Sequence, residues 1–259
     1  MITVLWILLT LILLTAGALI FFSIRNSRIM AEIIGTGLEA VRGYFPLTVR
    51  DAGEFSEMRM YGIMKFRVQQ YDAAELGNVS VMTANMGVMQ MCSFMVTPLG
   101  RNVPLCTLDF MYILGSRKSY VEFYDLVPDA GTADYRAVLA RLSAMQARYA
   151  DLPEVQTPPA WYDDLLSVSM HKQLKSRQDA RNAELFCDAL RTWLAAADSA
   201  GRSSDADAAQ QYRLTKAYSS GLIEKGGVST DLFKKTQGEE KTREFFDRVF
   251  FGTANYDYK

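Results

Sequence analysis

An uninterrupted apolar stretch opens the chain, with no charged side chain from Met1 to Ile24. As a helix it would span about 36 Å, more than the roughly 30 Å hydrocarbon core of a bilayer. Nothing basic except the α-amine precedes it, and Ala16-Gly17-Ala18 is a poor cleavage site, so a retained anchor is favoured over a secretory signal. Arg25 and Arg28 follow at once, and they predict a single-pass membrane protein whose remaining chain lies in the cytoplasm.

Beyond the anchor, the hydrophobic pattern changes from helical to strand-like. Apolar residues recur at helical spacing over residues 28–43, which predicts an amphipathic helix that ends before Pro46. From Met58 to Val127, short apolar and β-branched runs are separated by turn residues. Five strands with such short connections leave no room for crossover helices, so they predict an antiparallel meander. In Val88–Val96 and Val103–Leu114, both the odd and the even positions are largely apolar. Both faces of these strands are therefore apolar, which predicts that other elements cover both faces of the sheet.

After Pro128 the chain shows helical patterns, with one helix predicted to start near Trp161 and a capped one after Ser204. The predicted class is α+β: a three-layer α/β/α sandwich with a central antiparallel β-sheet, preceded by one N-terminal transmembrane helix. The helices of residues 161–252 are expected to cover one face. The predicted organisation is a transmembrane anchor (1–24), a juxtamembrane helix and linker (25–57), the α/β/α domain (58–252) and a tail (253–259).

Composition excludes several classes of function. The 28 basic and 29 acidic residues balance, which argues against a nucleic-acid partner. Cys92, Cys106 and Cys187 form no C-x-x-C pair and the chain has one histidine, His171, so neither a metal site nor a disulfide framework is predicted. Three lone thiols fit a reducing compartment. The sequence also has no glycine-rich nucleotide loop and no nucleophile-elbow motif.

Asp109 is the strongest candidate for chemistry, because the strand Leu105–Leu114 is otherwise uncharged. A carboxyl group inside an apolar sheet is costly to ionise, so its pKa rises and it becomes a proton donor near neutral pH. Alternatively, Asp109 sits at a solvated strand end or bonds a turn amide. The sequence leaves both interpretations open.

The stretch from Met91 to Pro128 resembles the core of the ferredoxin-dependent bilin reductases. That family has a strand with His-Cys-Val-Met-Phe-Pro, then Leu-Pro, then an Asp on the next strand, and later Asp-Leu-x-Pro. The corresponding segments here are Cys92–Pro98, Val103-Pro104, Asp109 and Asp125–Pro128. The C-terminal Asp231–Lys235 with Gly238, and Phe245–Phe251, are similar to the family's closing Leu-x-Lys-x-x-Gly and Leu-Phe.

The resemblance implies a sandwich that holds an open-chain tetrapyrrole between the sheet and the C-terminal helices. It implies no bound metal or flavin, since reduced ferredoxin supplies electrons singly. Asp109 would be the proton donor, and Cys92, at the position assigned to the family's histidine, its neighbour across the sheet. Asp231 would be a second acid facing the pocket, although Ser229-Thr230-Asp231 is also an ordinary helix N-cap.

Ligand and partner contacts are predicted from residue type. The residues predicted to bind the ligand are Met91, Phe94 and Met111, with Arg101, Arg117 and Lys118 as partners of its propionates. Methionine is also ordinary core filler. A basic segment beside His171 would dock an acidic electron donor or anionic lipid headgroups, or form a solvated helix face; its members are Lys172, Lys175, Arg177 and Arg181.

The predicted function is a membrane-anchored, bilin-reductase-like oxidoreductase that takes electrons from ferredoxin or a similar carrier. One alternative is a non-catalytic module of the same fold that binds a tetrapyrrole or a lipid at the membrane. A scaffold subunit whose anchor recruits a membrane partner is a third. The anchor itself distinguishes this chain from the soluble members of the family.

Overall fold

The computed structural model describes residues 2–62, 64–227 and 230–258. Its first element is one continuous helix, α1 (Ile2–Tyr44), which ends before Pro46 as predicted. The segment Thr3–Tyr44 is long and apolar enough to cross a membrane, and its most apolar window buries nothing against the rest of the protein. Its C-terminal half packs on the sheet through buried Met30 and Val41. The predicted anchor and the predicted juxtamembrane helix are therefore one continuous helix.

The middle layer is a single antiparallel sheet, with eight strands in the described part of the chain. The spatial order is β1-β3-β4-β5-β6-β7-β8, and β2 pairs with the remaining part of β3. Short turns connect β3 through β7, so the predicted meander is confirmed. The strands are β1 (Leu47–Arg50), β2 (Glu57–Met60), β3 (Met64–Ala73), β4 (Gly77–Asn85), β5 (Met89–Pro98), β6 (Leu105–Ile113), β7 (Ser116–Tyr124) and β8 (Leu166–Lys175).

Two strands lie outside the block predicted between Met58 and Val127. Strand β1 forms within the segment predicted as a linker. Strand β8 replaces the helix predicted near Trp161: a short 3-10 turn leads into it, and it pairs with β7. The inward positions of β8 are Val168, Met170, Lys172 and Leu174. A lysine among them breaks the apolar alternation that would indicate a strand.

Helices cover both faces of the sheet, so the three-layer prediction is confirmed. The C-terminal half of α1, with α2 (Ala133–Ala147) and α3 (Asp179–Ser199), covers what we call the anchor face. The opposite face, called the C-terminal face, lies under α4 (Asp205–Lys225), α5 (Thr230–Gln237), α6 (Glu239–Phe245) and a π-helical turn, Phe246–Phe250. Ser204 caps α4 as predicted, accepting a hydrogen bond from Asp207 N at 3.2 Å.

The prediction that all helices after residue 161 cover one face is wrong, because α3 packs on the anchor face. Its Phe186 ring meets Phe94 at 5.5 Å and Phe110 at 5.4 Å between ring centroids, edge to face. Trp193, also fully buried, donates its indole N–H to Pro104 O at 2.8 Å. An amphipathic pattern predicts that a helix has one buried side. It does not predict which face of the sheet that side packs against, because this depends on contacts with distant residues such as Phe94 and Phe110.

Buried polar residues attach the C-terminal layer to the sheet. A π-helical turn leaves carbonyl groups that need partners. Gln70 Nε2 donates to Arg248 O at 2.8 Å, Asn78 Nδ2 to Val249 O at 3.1 Å, and Ser80 Oγ to Phe250 O at 2.7 Å. These bonds fix the layer over β3 and β4; β4 is two strands from β6, which carries Asp109.

Candidate functional site

Four neighbouring strands bring their polar side chains together on the C-terminal face. In one row across β5, β6, β7 and β8 the register aligns Ser93, Asp109, Tyr120 and His171. Because side chains two residues apart share a face, the adjacent rows lie about 7 Å away on either side. One adjacent row is Met91, Met111, Lys118 and Gln173, and the other is Met95, Thr107, Glu122 and Ser169.

Asp109 stands in the middle of β6, half-buried, and accepts a short hydrogen bond from the Ser93 hydroxyl. Burial raises its pKa from the ordinary 3.8 to about 7. The hydrogen bond from Ser93 opposes that rise, and the negative charge of Glu122 adds to it. The group therefore exchanges a proton near neutral pH. Its mid-strand position differs from the solvated strand end that the sequence also allowed.

Glu122 and His171 form a hydrogen-bonded pair on the same face. His171 Nε2 lies 2.7 Å from Glu122 Oε1, and the Tyr124 hydroxyl donates to Glu122 Oε2 at 2.7 Å. The other imidazole nitrogen, Nδ1, lies 3.3 Å from Thr157 Oγ1. The Tyr120 ring packs edge to face on the imidazole, 5.2 Å between centroids. The one histidine of the sequence is thus oriented from three sides in the row of Asp109.

Aromatic side chains cover the Glu122 end of this surface. Tyr124 and Tyr218 lie 5.0 Å apart between centroids, and Tyr162 packs on both. Burial raises the pKa values of Tyr162 and Tyr218, and the charges of Glu122 and Asp109 raise them further. Both phenols therefore keep their protons at neutral pH. Trp161 fixes the Tyr162 segment by donating to Gly226 O at 2.8 Å.

The opposite end of this surface is only partly covered. Met91, Met111 and Lys118 are half-buried there. Within the described residues, the Lys118 ammonium has no hydrogen-bond or ion-pair partner. Two small cavities, of about 170 and 200 Å³, lie elsewhere on the molecule and involve none of these rows. We call this partly covered strip of the C-terminal face, which the three rows form together, the Asp109 groove.

The predicted pairing of Cys92 with Asp109 is wrong. Cys92 pairs with Phe110 and lies buried on the anchor face, where burial raises the pKa of its thiol. Ser93 takes the place beside Asp109. Successive strand residues point to opposite faces, so an alignment error of one residue changes the face. If the bilin-reductase motif is aligned on its closing proline, Pro98 here, its histidine falls on Ser93.

Three predicted ligand contacts also lie away from the groove. Phe94 is in the anchor-face core against Phe186. Arg101 is buried over the Phe45 ring and donates to the carbonyls of Glu75, Ala197 and Asp198. Fully buried Arg117 binds both carboxylate oxygens of Asp179, at 2.6 and 3.3 Å, and Asn26 Oδ1 at 2.8 Å. These two arginines satisfy protein groups, so their predicted role as propionate partners is wrong.

The predicted second acid and the basic segment are placed differently from expectation. Asp231 is exposed in the first turn of α5, outside the Asp109 row, and Ser229 of its predicted cap lies outside the described residues. Lys172 is buried and paired with Glu154 at 2.8 Å, since it is an inward residue of β8. Arg181 pairs with Glu184 at 2.9 Å. Lys175 and Arg177 remain exposed.

Sequence reasoning missed Ser93, Glu122, His171, Tyr162 and Tyr218 as members of the site. The alternation of side chains along strands could have identified three of them. Once Asp109 defines a face of the sheet, Ser93 on β5, Glu122 on β7 and His171 on β8 lie on the same face. Among the described residues, no group of three or more His, Cys, Asp or Glu side chains is arranged to hold a metal ion.

Comparison with known proteins gives a fold. No protein-family model and no curated protein matches the sequence. Among solved structures, the chain is similar to phytochromobilin synthase from tomato, crystallised in complex with biliverdin, with a TM-score of 0.72 and 14% identity. The match covers 87% of this chain and 83% of that one. That protein is a ferredoxin-dependent bilin reductase, so the antiparallel sheet between helical layers is the fold that the sequence resemblance implied.

Proposed function

We propose that this protein is a bilin-reductase-like oxidoreductase, which binds an open-chain tetrapyrrole in the Asp109 groove and reduces it with electrons from ferredoxin or a similar carrier. The observation that carries the proposal is Asp109, a half-buried carboxylic acid with a pKa of about 7. It lies at the centre of the sheet face under the C-terminal helices, in a fold shared with a protein crystallised with biliverdin.

The chain's part in such a reaction is to deliver protons. Reducing one double bond of a tetrapyrrole consumes two electrons, which the carrier supplies, and two protons. Ser93 donates its hydroxyl hydrogen to Asp109 Oδ1, which leaves Oδ2 to carry the proton toward the ligand. We assign the second proton to His171, two strands from Asp109 in the same row, and to its partner Glu122 in the adjacent row. At about 4.8 Å per strand, His171 lies roughly 10 Å from Asp109 along the row.

Both ends of the groove supply binding contacts in this proposal: Met91, Met111 and Lys118 at the open end, and Tyr162 and Tyr218 at the covered end beside Glu122. Met91 and Met111 present polarizable side chains to a flat conjugated ligand. Lys118, unpaired within the described part of the chain, is the cation that we assign to a propionate carboxylate. Tyr162 and Tyr218 keep their hydroxyl hydrogens and are available as donors to the carbonyl groups of the ligand's terminal rings.

Ser93 favours a second candidate, a non-catalytic tetrapyrrole-binding module of the same fold. The aligned position of the bilin reductases carries a histidine, which exchanges protons at neutral pH, whereas an alcohol does not. In this second candidate the groove retains its ligand-binding shape, and Asp109 hydrogen-bonds a ring nitrogen without delivering its proton.

The test uses the full-length protein in detergent with biliverdin, first by absorption spectroscopy and then anaerobically with reduced ferredoxin. Asp109→Asn should keep the pigment bound but slow reduction by about 10²–10⁴-fold, the usual worth of a general acid. We expect it to stall after one electron, with a radical visible by electron paramagnetic resonance. Asp231→Asn, the exposed acid outside the row, is the matched control and should reduce at the wild-type rate.

Other results would discriminate between the candidates. A wild-type rate in Asp109→Asn would show that the proton comes from another group. Bound biliverdin that never reacts in the wild-type protein would support the binding module. No spectral change on mixing would remove both candidates.

A further inference from the structure

Helix α1 leaves the domain at a point where three chain segments contact it. Arg25 Nη2 donates to Ser176 O at 3.1 Å, Asn26 Nδ2 donates to Leu114 O at 3.0 Å, and Ser27 Oγ accepts from Asn85 Nδ2 at 3.0 Å. These partners belong to the turn after β8, the β6–β7 turn and the β4–β5 turn. The exposed apolar part of α1 ends at Ile24, one residue before the first of these contacts.

The helix is held rigidly at this exit. Asn26 is fully buried and also accepts a hydrogen bond from Arg117. Arg25 pairs with Asp179 at 2.5 Å. Because α1 continues without interruption into the apolar stretch, no flexible linker separates the domain from the anchor. The tips of the sheet around this exit, which are the β4–β5 turn, the β6–β7 turn and the turn after β8, are therefore held next to any surface into which residues 2–24 insert.

We call these tips the anchor edge: residues 85–88, 113–116 and 175–177, with Tyr61 of the neighbouring β2–β3 turn. Apart from Asn85, which bonds Ser27, its exposed side chains are apolar or basic. Tyr61 is 62% exposed, Val88 39% and Ile113 37%, and Lys175 and Arg177 are exposed as well. The sequence has no Asp or Glu in residues 84–91, 112–118 or 173–178.

The opposite end of the sheet has a different character. Its turns carry acids such as Glu75, whose side chain is 57% exposed, and Asp129. Apolar tips with a tyrosine and basic side chains favour the interface of an anionic bilayer, where the rings lie among headgroups and the cations meet phosphates. The asymmetry between the two ends, together with the rigid helix exit, distinguishes this edge from an ordinary solvated one.

We propose that the anchor edge lies in the headgroup layer of an anionic phospholipid bilayer and contacts it through Tyr61, Val88, Ile113, Lys175 and Arg177. The Met91–Met111–Lys118 row starts two residues from this edge, about 7 Å, and Asp109 lies four residues from it, about 13 Å. The open end of the Asp109 groove therefore faces the membrane surface, and a lipophilic ligand enters from there. The edge contact itself does not depend on what the groove binds.

The test places full-length protein in nanodiscs of equal parts phosphatidylcholine and phosphatidylglycerol, with acyl chains brominated near the glycerol end. In a Trp6→Phe background, Val88→Trp should lose most of its added emission to bromine. Val49→Trp is the matched control, because Val49 is 74% exposed on β1 at the opposite end of the sheet, and its added emission should be unaffected. Quenching of Trp6 in the wild-type protein reports insertion of the anchor independently.

A second arm tests the charge preference. With the Val88→Trp reporter, Lys175→Gln/Arg177→Gln should reduce quenching to the level seen in pure phosphatidylcholine discs. The charge-matched pair Arg202→Gln/Lys216→Gln, exposed elsewhere, should leave it unchanged. Quenched Trp6 with an unquenched Val88→Trp would overturn the edge contact while leaving the anchor intact. Equal quenching in neutral and anionic discs would overturn the preference for anionic lipid.

Discussion

At the residue scale, Asp109 imposes a cost on folding that depends on pH. Its pKa is about 7 in the folded protein and 3.8 ordinarily, because burial disfavours the carboxylate. Between those two values the folded state holds a proton that the unfolded state has lost. Stability therefore falls as pH rises through this window and levels off above about pH 7. Each unit of difference corresponds to about 1.4 kcal/mol.

Asp109→Asn removes this dependence, because an amide stays neutral throughout. We expect the difference in free energy of unfolding, Asp109→Asn minus wild type, to increase by a few kcal/mol from about pH 4 to about pH 8, because only the wild-type protein loses stability over this range. Denaturant titration of the full-length protein in detergent at each pH measures it. The exposed Asp164→Asn should show no comparable increase. A flat difference for Asp109→Asn would place its carboxyl in water and remove the proton-donor assignment.

At the scale of elements, one buried arginine connects three of them. Arg117 on β7 binds Asp179 at the start of α3 and Asn26 on α1, and its guanidinium lies over the Tyr112 ring, 4.2 Å from the centroid. Two more of its hydrogen bonds reach the carbonyls of Leu114 and Ser116 at the β6–β7 turn. The side chain therefore aligns α1 with the sheet, which makes it a determinant of the direction in which the apolar part of α1 leaves the domain.

Arg117→Met keeps an unbranched side chain but removes the buried cation, so that Asp179 is left paired with the partly exposed Arg25 alone. Removing one partner of a buried ion pair costs about 3–5 kcal/mol. Lys118→Met, the adjacent and half-buried position, should change stability by no more than about 0.5 kcal/mol, as surface substitutions do. Chemical denaturation of both full-length variants gives the comparison. Equal losses would contradict the structural role, and a folded Arg117→Met that loses biliverdin binding would restore the ligand role.

At the scale of the whole molecule, the arrangement of helix and sheet has consequences for topology. Arg25 and Arg28 flank the apolar stretch on the side of the folded domain. A reporter fused after Lys259 should therefore be active only in the cytoplasm. Adding a pair of lysines after Met1 should lower that activity, because it reduces the charge difference that sets orientation. Activity on the far side of the membrane would contradict the topology and the ferredoxin donor together.

The sequence by itself determined the elements whose signals are local. The length of the apolar stretch and the helical spacing that follows it set α1, and turn residues between β-rich runs set the meander of β3 to β7. Ser204 set the start of α4. The lone carboxyl in an apolar strand singled out Asp109. Each of these depends on neighbours within a few positions of the same chain, so periodicity and capping are sufficient to predict it.

Only the tertiary structure decided which distant groups meet. It made 166–175 a strand whose inward Lys172 has a partner in Glu154, and it placed α3 on the anchor face. It placed Ser93 rather than Cys92 beside Asp109, buried Arg117, and brought Glu122 within hydrogen-bond distance of His171. The physical reason is common to all of them: strand register and helix packing are set by pairings between residues far apart in sequence, and a shift of one residue reverses the face of every side chain.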